Sequence, residues 1–338
     1  MNNRHEFVRR SNGSVCNEEF LADRVIDFIY STVREKTGWL FNVLTSPAAT
    51  GVLGFVNYDL ALDSRFSGAA RFIRKTGLNV DECLLPPGEL DTPRKIFERR
   101  IAYWRCRPMD TDPDSIVSPA DSKMFAGSLK ETSLLFLKGK FFDFRELIGE
   151  ERHDLHEKFE DADFAVFRLT PEKYHHNHAP VSGVVTDIYG LDGAFHSCNP
   201  RSAIALATPL SKNRRVVTVI DTDVEEGSNV GTVVMVEIVA MMIGDITQCY
   251  SDNRYDDPVS VTPGLFIRKG QPKSLFRPGS SSVVLFFQKD RMIFSDDLIR
   301  NQLRGDIDNR FAAWLDKPLV ETELEVRSTI GKRAAHDR

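Results

Sequence analysis

Short β-rich runs separated by turn residues fill residues 116–287, and they set the fold class of this chain. The runs are SLLFLKG, ADFAVFRL, VSGVVTDIYG, VVTVID, GTVVMVEIVAMMIG, GLFIRKG and SSVVLFF. Gly, Pro, Asn and Asp separate them at short intervals, as is typical of antiparallel sheets. The pattern predicts an α+β protein with a mainly antiparallel, barrel-like β core.

Apolar residues at helical spacing flank this core on both sides. The spans with that spacing are 18–35, 67–76, 94–104 and 296–314. Thr92 can cap the third helix, with Pro93 in its first turn, and the last dozen residues are predicted to be a loose tail. We therefore predict a helical N-terminal region over 1–110, a β-rich core over 111–295, and a C-terminal helix and tail over 296–338.

The composition is that of an ordinary globular protein, with 41% hydrophobic and 28% charged residues and a net charge of −5. A nucleic-acid partner is not predicted, because such proteins are usually basic. The five cysteines are scattered without a CxxC pair, which indicates a reducing compartment rather than disulfides or a cysteine zinc site. We predict a cytoplasmic protein. Peripheral contact with a membrane surface is compatible with the chain, because such contact needs only an apolar or basic face.

Three short segments of the β-rich part carry residues suited to chemistry. The first is SPAD (118–121), directly after the strand-like run Ser115–Val117. A carboxylate just beyond a strand, here Asp121, can orient an imidazole or stabilise its positive charge. A turn or cap aspartate is the alternative, and spacing alone does not decide between them.

The second segment is RLTPEKYHHNHAP (168–180), where three histidines fall within four positions. In an extended or turning segment, His175 and His178 can approach one cavity and act as acid or base. Imidazole is also a common metal ligand, but the helical i, i+4 spacing is absent and Pro180 opposes a long helix. A solvated, histidine-rich loop is the third interpretation, and the local pattern leaves all three open.

The third segment is a Gly-Ser step, Gly279-Ser280, that leads into an apolar strand-like run. Glycine permits a sharp, strained turn, and a serine hydroxyl becomes a nucleophile when a base removes its proton. A hairpin turn before a buried strand explains the local pattern equally well. Together, however, Asp121, His178 and Ser280 supply the parts of a nucleophile–base–orienter set.

These residues also match a known family in order along the chain. The most specific motif is Arg168, Leu169, Pro171, Tyr174, His175, His178 and Pro180. Further matches are Phe97, Arg100, Arg107-Pro108, SPAD, Leu137-Lys138-Gly139, residues 146–149, Asn199-Pro200, residues 213–215 and Gly279-Ser280-Ser281. Through these motifs the chain resembles the phosphatidylserine decarboxylase family from about Phe97 to Phe287.

The resemblance implies a pyruvoyl-dependent decarboxylase that cleaves its own backbone between Gly279 and Ser280. In that scheme His178, oriented by Asp121, is the base for Ser280, whose oxygen attacks the Gly279 carbonyl. Elimination and hydrolysis leave a pyruvoyl cofactor derived from Ser280, at the start of a chain of 59 residues, 280–338. The pyruvoyl ketone holds the substrate amine as a Schiff base while CO2 leaves. His175 is the candidate for the later protonation, with His178 as the alternative, and no metal is implied.

Several positions depart from the family pattern. They are Ser122, Val239 and Ser274 where glycine is usual, His176 where arginine is common, and Ser281 in place of threonine. The chain beyond Phe287 is also longer than expected. The self-processing set is intact, while residues that could lie near the substrate are altered.

Phosphatidylserine, converted to phosphatidylethanolamine, is the substrate that the resemblance favours most. The alternative is a soluble decarboxylase of a free aromatic amino acid such as tryptophan, and a non-enzymatic binding relative is a third hypothesis. The predicted partners are therefore an aminophospholipid or amino-acid substrate and the protein's own cleaved chains. A homodimer is also compatible with the sequence.

Overall fold

The computed structural model describes residues 4–18, 73–74, 77–130, 141–194, 208–239, 245–279, 281–311 and 317–335. Within these residues the strands are β1 (Glu6–Arg9), β2 (Val15–Asn17), β3 (Ser115–Val117), β4 (Ser122–Ser128), β5 (Asp163–Leu169), β6 (His176–His178), β7 (Gly183–Leu191), β8 (Arg215–Asp221), β9 (Thr232–Val239), β10 (Ile246–Gln248), β11 (Phe266–Ile267), β12 (Pro272–Phe276), β13 (Ser281–Phe287), β14 (Met292–Phe294), β15 (Thr322–Leu324) and β16 (Thr329–Arg333). The α-helices are α1 (Pro93–Phe97), α2 (Tyr103–Cys106), α3 (Phe144–Ile148), α4 (His153–Lys158), α5 (Pro209–Lys212) and α6 (Asp296–Gln302).

A ten-stranded sheet in the order β11-β7-β8-β9-β13-β5-β4-β15-β1-β2 forms the centre of the fold. Every neighbouring pair is antiparallel except β1 and β15, which run parallel. The prediction of an α+β protein with a mainly antiparallel core is therefore confirmed. The barrel-like closure was wrong, because β11 and β2 end the sheet as two separate edges, whereas a barrel requires its first and last strands to pair.

The central strands β9 and β13 are buried on both faces, which explains why their sequences are almost continuously apolar. Val283 and Leu285 belong to one hydrophobic core, and Val284 and Phe286 belong to the other. Helices α3, α4 and α5 cover the second face. The first face is covered by two small sheets, β10-β12-β6 and β14-β16-β3, which carry the residues of the candidate site.

Several helix predictions differ from the observed elements. Residues 4–18 form two strands rather than helix, because β1 pairs with β15 from the far end of the chain. Thr92 caps α1 as predicted, by accepting a hydrogen bond from the Lys95 amide, but this helix ends at Phe97 and α2 is a separate short turn. The predicted helices over 18–35 and 67–76 fall almost wholly outside the described residues.

The C-terminal region also differs from the prediction. Helix α6 ends at Gln302, where the sequence predicts helix to continue to 314. The chain from 317 onward is not loose through 333, because β15 inserts between β4 and β1, and β16 pairs with β3 and β14. In the described ranges, no helix has the length and apolar character needed to cross a membrane.

Candidate active site

One strand pair brings the histidine motif to the Gly-Ser step. Strand β6 pairs antiparallel with β12, with His178 opposite Pro272. Just before β6, the carbonyl of His175 accepts a hydrogen bond of 3.0 Å from the amide of Phe276, the last residue of β12. Gly279 follows three residues later. Two predicted site segments, distant in sequence, therefore lie side by side.

Ser280 itself lies outside the described residues, but both of its neighbours are described. Gly279 has a φ of 152°, in a region that L side chains rarely adopt. Ser281 opens β13 between Leu169 and Val239, and its buried Oγ has no hydrogen-bond partner within the described part of the chain. The Gly-Ser step is thus the link between the small sheet containing β12 and the centre of the large sheet.

His178 is fully buried and is held at both ring nitrogens. Nδ1 lies 2.8 Å from the carbonyl oxygen of Gly270, and Nε2 lies 3.0 Å from the hydroxyl of Tyr174. Because a carbonyl can only accept, Nδ1 carries the proton of the neutral ring and Nε2 keeps its lone pair. Burial lowers the pKa of His178 to about 3. The neutral ring can therefore act as a base at Nε2 when the Tyr174 hydroxyl does not donate to that atom.

Asp121 lies in the turn between β3 and β4, as predicted, and is buried. Its carboxylate accepts hydrogen bonds from the Arg107 Nε and Nη2, at 3.0 and 2.9 Å, and from the Val326 amide at 2.8 Å. Burial opposes ionisation, but Arg107 holds the pKa of Asp121 below its usual range. Among the described atoms no hydrogen bond joins Asp121 to His178. The negative charge still favours the protonated form of that histidine.

His175 and His176 are buried with both ring nitrogens lacking hydrogen-bond partners among the described residues. The His175 ring stacks on Phe97, with centroids 3.6 Å apart, and the His176 ring stacks on Tyr174 at 5.3 Å. Burial lowers the pKa of His176 to about 3 and moves that of His175 well below its usual value. Buried polar atoms are normally paired. Backbone groups of Lys173 and Glu98 act on the His175 and His176 rings, and in the described part of the chain neither ring has a close hydrogen bond that a further group would have to displace.

The structure does not assemble the three histidines as a metal centre. Within the described ranges, the group whose potential ligand atoms all lie within 4.8 Å of one another is His5, Glu18 and Glu321. Both carboxylates of that group already pair with Arg168, each at 2.6 Å from Nη2. Lys123 also pairs with Glu18 at 2.9 Å, so two cations already balance the two buried negative charges.

A second buried polar network joins the strands around the site. Glu237 on β9 pairs with Lys273 on β12 at 2.7 Å, and both side chains are fully buried. The carboxylate also accepts hydrogen bonds from Gln248 at 2.9 Å, from Asn177 at 3.0 Å, and from the Ser274 hydroxyl. Burial opposes ionisation, but Lys273 keeps the pKa of Glu237 below its usual value. The network ties β6, β10 and β12 to the large sheet.

Sequence reasoning proposed Asp121, the histidines and the Gly-Ser step as site residues, and it did not predict the groups that surround them. Gly270 and Tyr255 gave no local signal, since one acts through its carbonyl and the other is a lone aromatic residue. Glu237 and Lys273 did give one, because single charges inside β-rich apolar runs indicate a buried pair.

The comparisons with known proteins agree with the resemblance over 97–287. The family model described as phosphatidylserine decarboxylase matches residues 94–307. Similar proteins include the phosphatidylserine decarboxylase proenzymes of Clostridium tetani, 24% identical over 97% of this chain and 98% of that protein, and of Chlamydia muridarum, 27% identical over 97% of each. The phosphatidylserine decarboxylase proenzyme 3 of Schizosaccharomyces pombe is 28% identical over 78% of this chain and 24% of its own. The family model covers more than half of the residues of this chain, and the chain therefore belongs to the phosphatidylserine decarboxylase family.

Proposed function

We propose that this chain is a proenzyme that cleaves itself between Gly279 and Ser280 and then decarboxylates phosphatidylserine to phosphatidylethanolamine. The observation that carries the proposal is the pairing of β6 with β12, which sets a buried, neutral imidazole beside the strand that leads to Gly279. The names of the relatives, which are phosphatidylserine decarboxylase proenzymes, support the substrate and the self-processing.

Self-processing needs a base, a nucleophile and a backbone that can deform. In the proposed scheme His178 takes the hydroxyl proton of Ser280, and the serine oxygen attacks the carbonyl carbon of Gly279. The peptide C–N bond breaks and an ester forms in its place. Elimination then releases the Gly279 carboxylate and leaves dehydroalanine, and water converts this residue to a pyruvoyl group with loss of ammonia.

Asp121 supports this step through its charge. A buried imidazole resists protonation, and the negative carboxylate lowers that cost while Gly270 fixes the ring through Nδ1. The orienting hydrogen bond on the imidazole is therefore assigned to a backbone carbonyl, and Asp121 stabilises the imidazolium through space.

Buried groups on the segments next to the Gly-Ser step support a pyruvoyl group formed from Ser280. The ring nitrogens of His175 and the hydroxyl of Ser281 are buried and unpaired within the described part of the chain, so polar partners are available. When present, a pyruvoyl group supplies a ketone that accepts the substrate amine and withdraws electrons as CO2 leaves. We assign the later protonation to His175, with His178 as the second candidate. Because the substrate is a lipid, the protein would work peripherally at a membrane surface.

The test compares the wild-type protein with Ser280→Ala on a denaturing gel and by intact mass. We expect the wild-type protein to give two fragments separated between residues 279 and 280, the smaller one blocked at its N-terminus, and the variant to stay uncut. The mature protein is then supplied with phosphatidylserine vesicles and, separately, with free tryptophan and serine. Ethanolamine phospholipid and CO2 are expected from the vesicles alone. An uncut wild-type chain would refute self-processing, and turnover of a free amino acid without turnover of lipid would refute the substrate.

A further inference from the structure

A chain of buried hydroxyl groups leads away from His178. The Tyr174 hydroxyl lies 3.0 Å from Nε2 of this histidine and 2.7 Å from the hydroxyl of Tyr255. The Tyr255 oxygen lies 3.0 Å from the carbonyl oxygen of Ile101, and it accepts a hydrogen bond of 3.2 Å from the amide of the same residue. All four residues are buried. These groups contact one another directly, without a bridging water.

When His178 is neutral, the available hydrogens are enough to satisfy every donor and acceptor in this row of hydroxyl groups. Nδ1–H donates to Gly270, so Nε2 is an acceptor and the Tyr174 hydroxyl must donate to it. Tyr255 then donates to the Tyr174 oxygen. The Ile101 carbonyl needs nothing from Tyr255, because it already accepts a hydrogen bond of 2.8 Å from the Tyr103 amide. Every group has a partner.

The same atoms also satisfy the protonated ring, if both hydroxyl hydrogens rotate. Nε2–H now donates to the Tyr174 oxygen, Tyr174 donates to the Tyr255 oxygen, and Tyr255 donates to the Ile101 carbonyl. No heavy atom has to move. Two reoriented hydroxyl dipoles then point their oxygens toward the new positive charge, which stabilises that charge strongly in a low-dielectric interior.

We propose that Tyr174 and Tyr255 form a reversible hydroxyl relay that allows the buried His178 to take up and return the proton of Ser280. The relay rests on the proposed function, in which His178 is the base of self-processing. The single lone pair of Nε2 cannot accept from two hydroxyls, so the Tyr174 hydroxyl first turns its hydrogen to Tyr255. The serine O–H bond then breaks, an N–H bond forms at Nε2, and the Tyr174 oxygen becomes its acceptor. Both tyrosines are positioning residues, since they act through His178.

The other groups around the ring cannot provide this response. Asp121 carries a fixed negative charge that is already committed to Arg107. Arg327 and Arg107 carry positive charges, which oppose a positive charge on His178. The Tyr103 ring meets the imidazole edge to face at 4.7 Å, but its hydroxyl donates to Gln271 at 2.8 Å and not to the relay.

Tyr255→Phe is the informative variant, and Tyr103→Phe is its matched control. Without the Tyr255 oxygen, neutral His178 keeps its bond from Tyr174, but in the protonated state the Tyr174 hydroxyl loses its acceptor. A buried donor left without an acceptor is costly enough to slow the step about 10- to 100-fold. We expect self-cleavage of Tyr255→Phe to be slower by that factor, with Tyr103→Phe close to wild type and both variants melting at similar temperatures. Cleavage of Tyr255→Phe at the wild-type rate would overturn the relay and leave the proposed function standing.

A wild-type chain that is never cleaved would refute the proposed function but would leave the relay undecided. A spectroscopic measurement tests the relay in that case too. In [15N]histidine-labelled Ser280→Ala protein, the relay requires His178 to be the Nδ1–H tautomer with a hydrogen-bonded Nε2. The Nε2 signal is expected to move in Tyr174→Phe and to stay in place in Tyr103→Phe. An Nε2–H tautomer, or an Nε2 signal that ignores Tyr174→Phe, would exclude the relay.

Discussion

The buried pair Glu237–Lys273 allows a quantitative prediction. Lys273→Met keeps the length of the side chain but removes its charge, so that a carboxylate stays buried without its cation. Breaking a buried ion pair in this way typically costs about 3–5 kcal/mol. Glu237 keeps its three other donors, from Gln248, Asn177 and Ser274, and these offset part of the loss. We therefore expect a loss near the lower end, about 3 kcal/mol of unfolding free energy.

The assay is urea unfolding at pH 7 in the Ser280→Ala background, where the chain stays in one piece. The control is Lys332→Met, whose ion pair with Asp112 is exposed and should contribute nothing measurable. Adding Glu237→Gln to Lys273→Met removes the stranded charge, and we expect it to restore about 2 kcal/mol. A Lys273→Met protein within about 0.5 kcal/mol of its parent would refute the assignment of a desolvated pair.

Two further predictions concern the cleavage turn and acid stability. Gly279→Ala should slow self-cleavage roughly tenfold or more, because a φ of 152° strains any residue with a Cβ by about 1–3 kcal/mol. Gly190→Ala, at an unstrained and open position, is its control on a gel time course, and equal rates would count against strain. His176 and His178 have folded pKa values of about 3, below the ordinary 6.5. Stability is then complete above pH 6.5 and falls toward pH 3, by up to about 1.4 kcal/mol per pH unit for each histidine. Urea midpoints that do not change between pH 7 and pH 5 would contradict this.

The strands could be predicted because their signal is local. Strand β13 is a run of apolar residues directly after a turn, and its burial on both faces follows from that composition. Barrel closure could not be predicted in the same way, since it depends on whether the edge strands β11 and β2 meet. Strand β1 was missed for a related reason. Four residues of EFVR carry little strand signal, and β15, which completes their pairing, lies some three hundred residues away.

The same difference between local signals and long-range contacts applies to the candidate site. Asp121, His175 and His178 could be proposed from the sequence because their side chains belong to recognisable segments. The partner of His178 is the carbonyl of Gly270, and every residue has a carbonyl, so the sequence holds no sign of this contact. The resemblance directed Asp121 to the imidazole, whereas the geometry gives its hydrogen bonds to Arg107. Residue types thus predicted which groups are present, and only the fold assigned their partners.

The place of the proposed cleavage explains how a protein can cut its own backbone and keep its fold. The bond between residues 279 and 280 joins β12, in the small sheet, to β13, in the middle of the large one. Each side is anchored independently. Strand β13 pairs through seven residues with both β5 and β9, while β12 is held by β6, β10 and the Glu237–Lys273 pair. In the described part of β12 and β13, no ladder hydrogen bond of either sheet depends on this bond. The bond can therefore break while the histidines, β12 and the start of β13 remain where the precursor placed them.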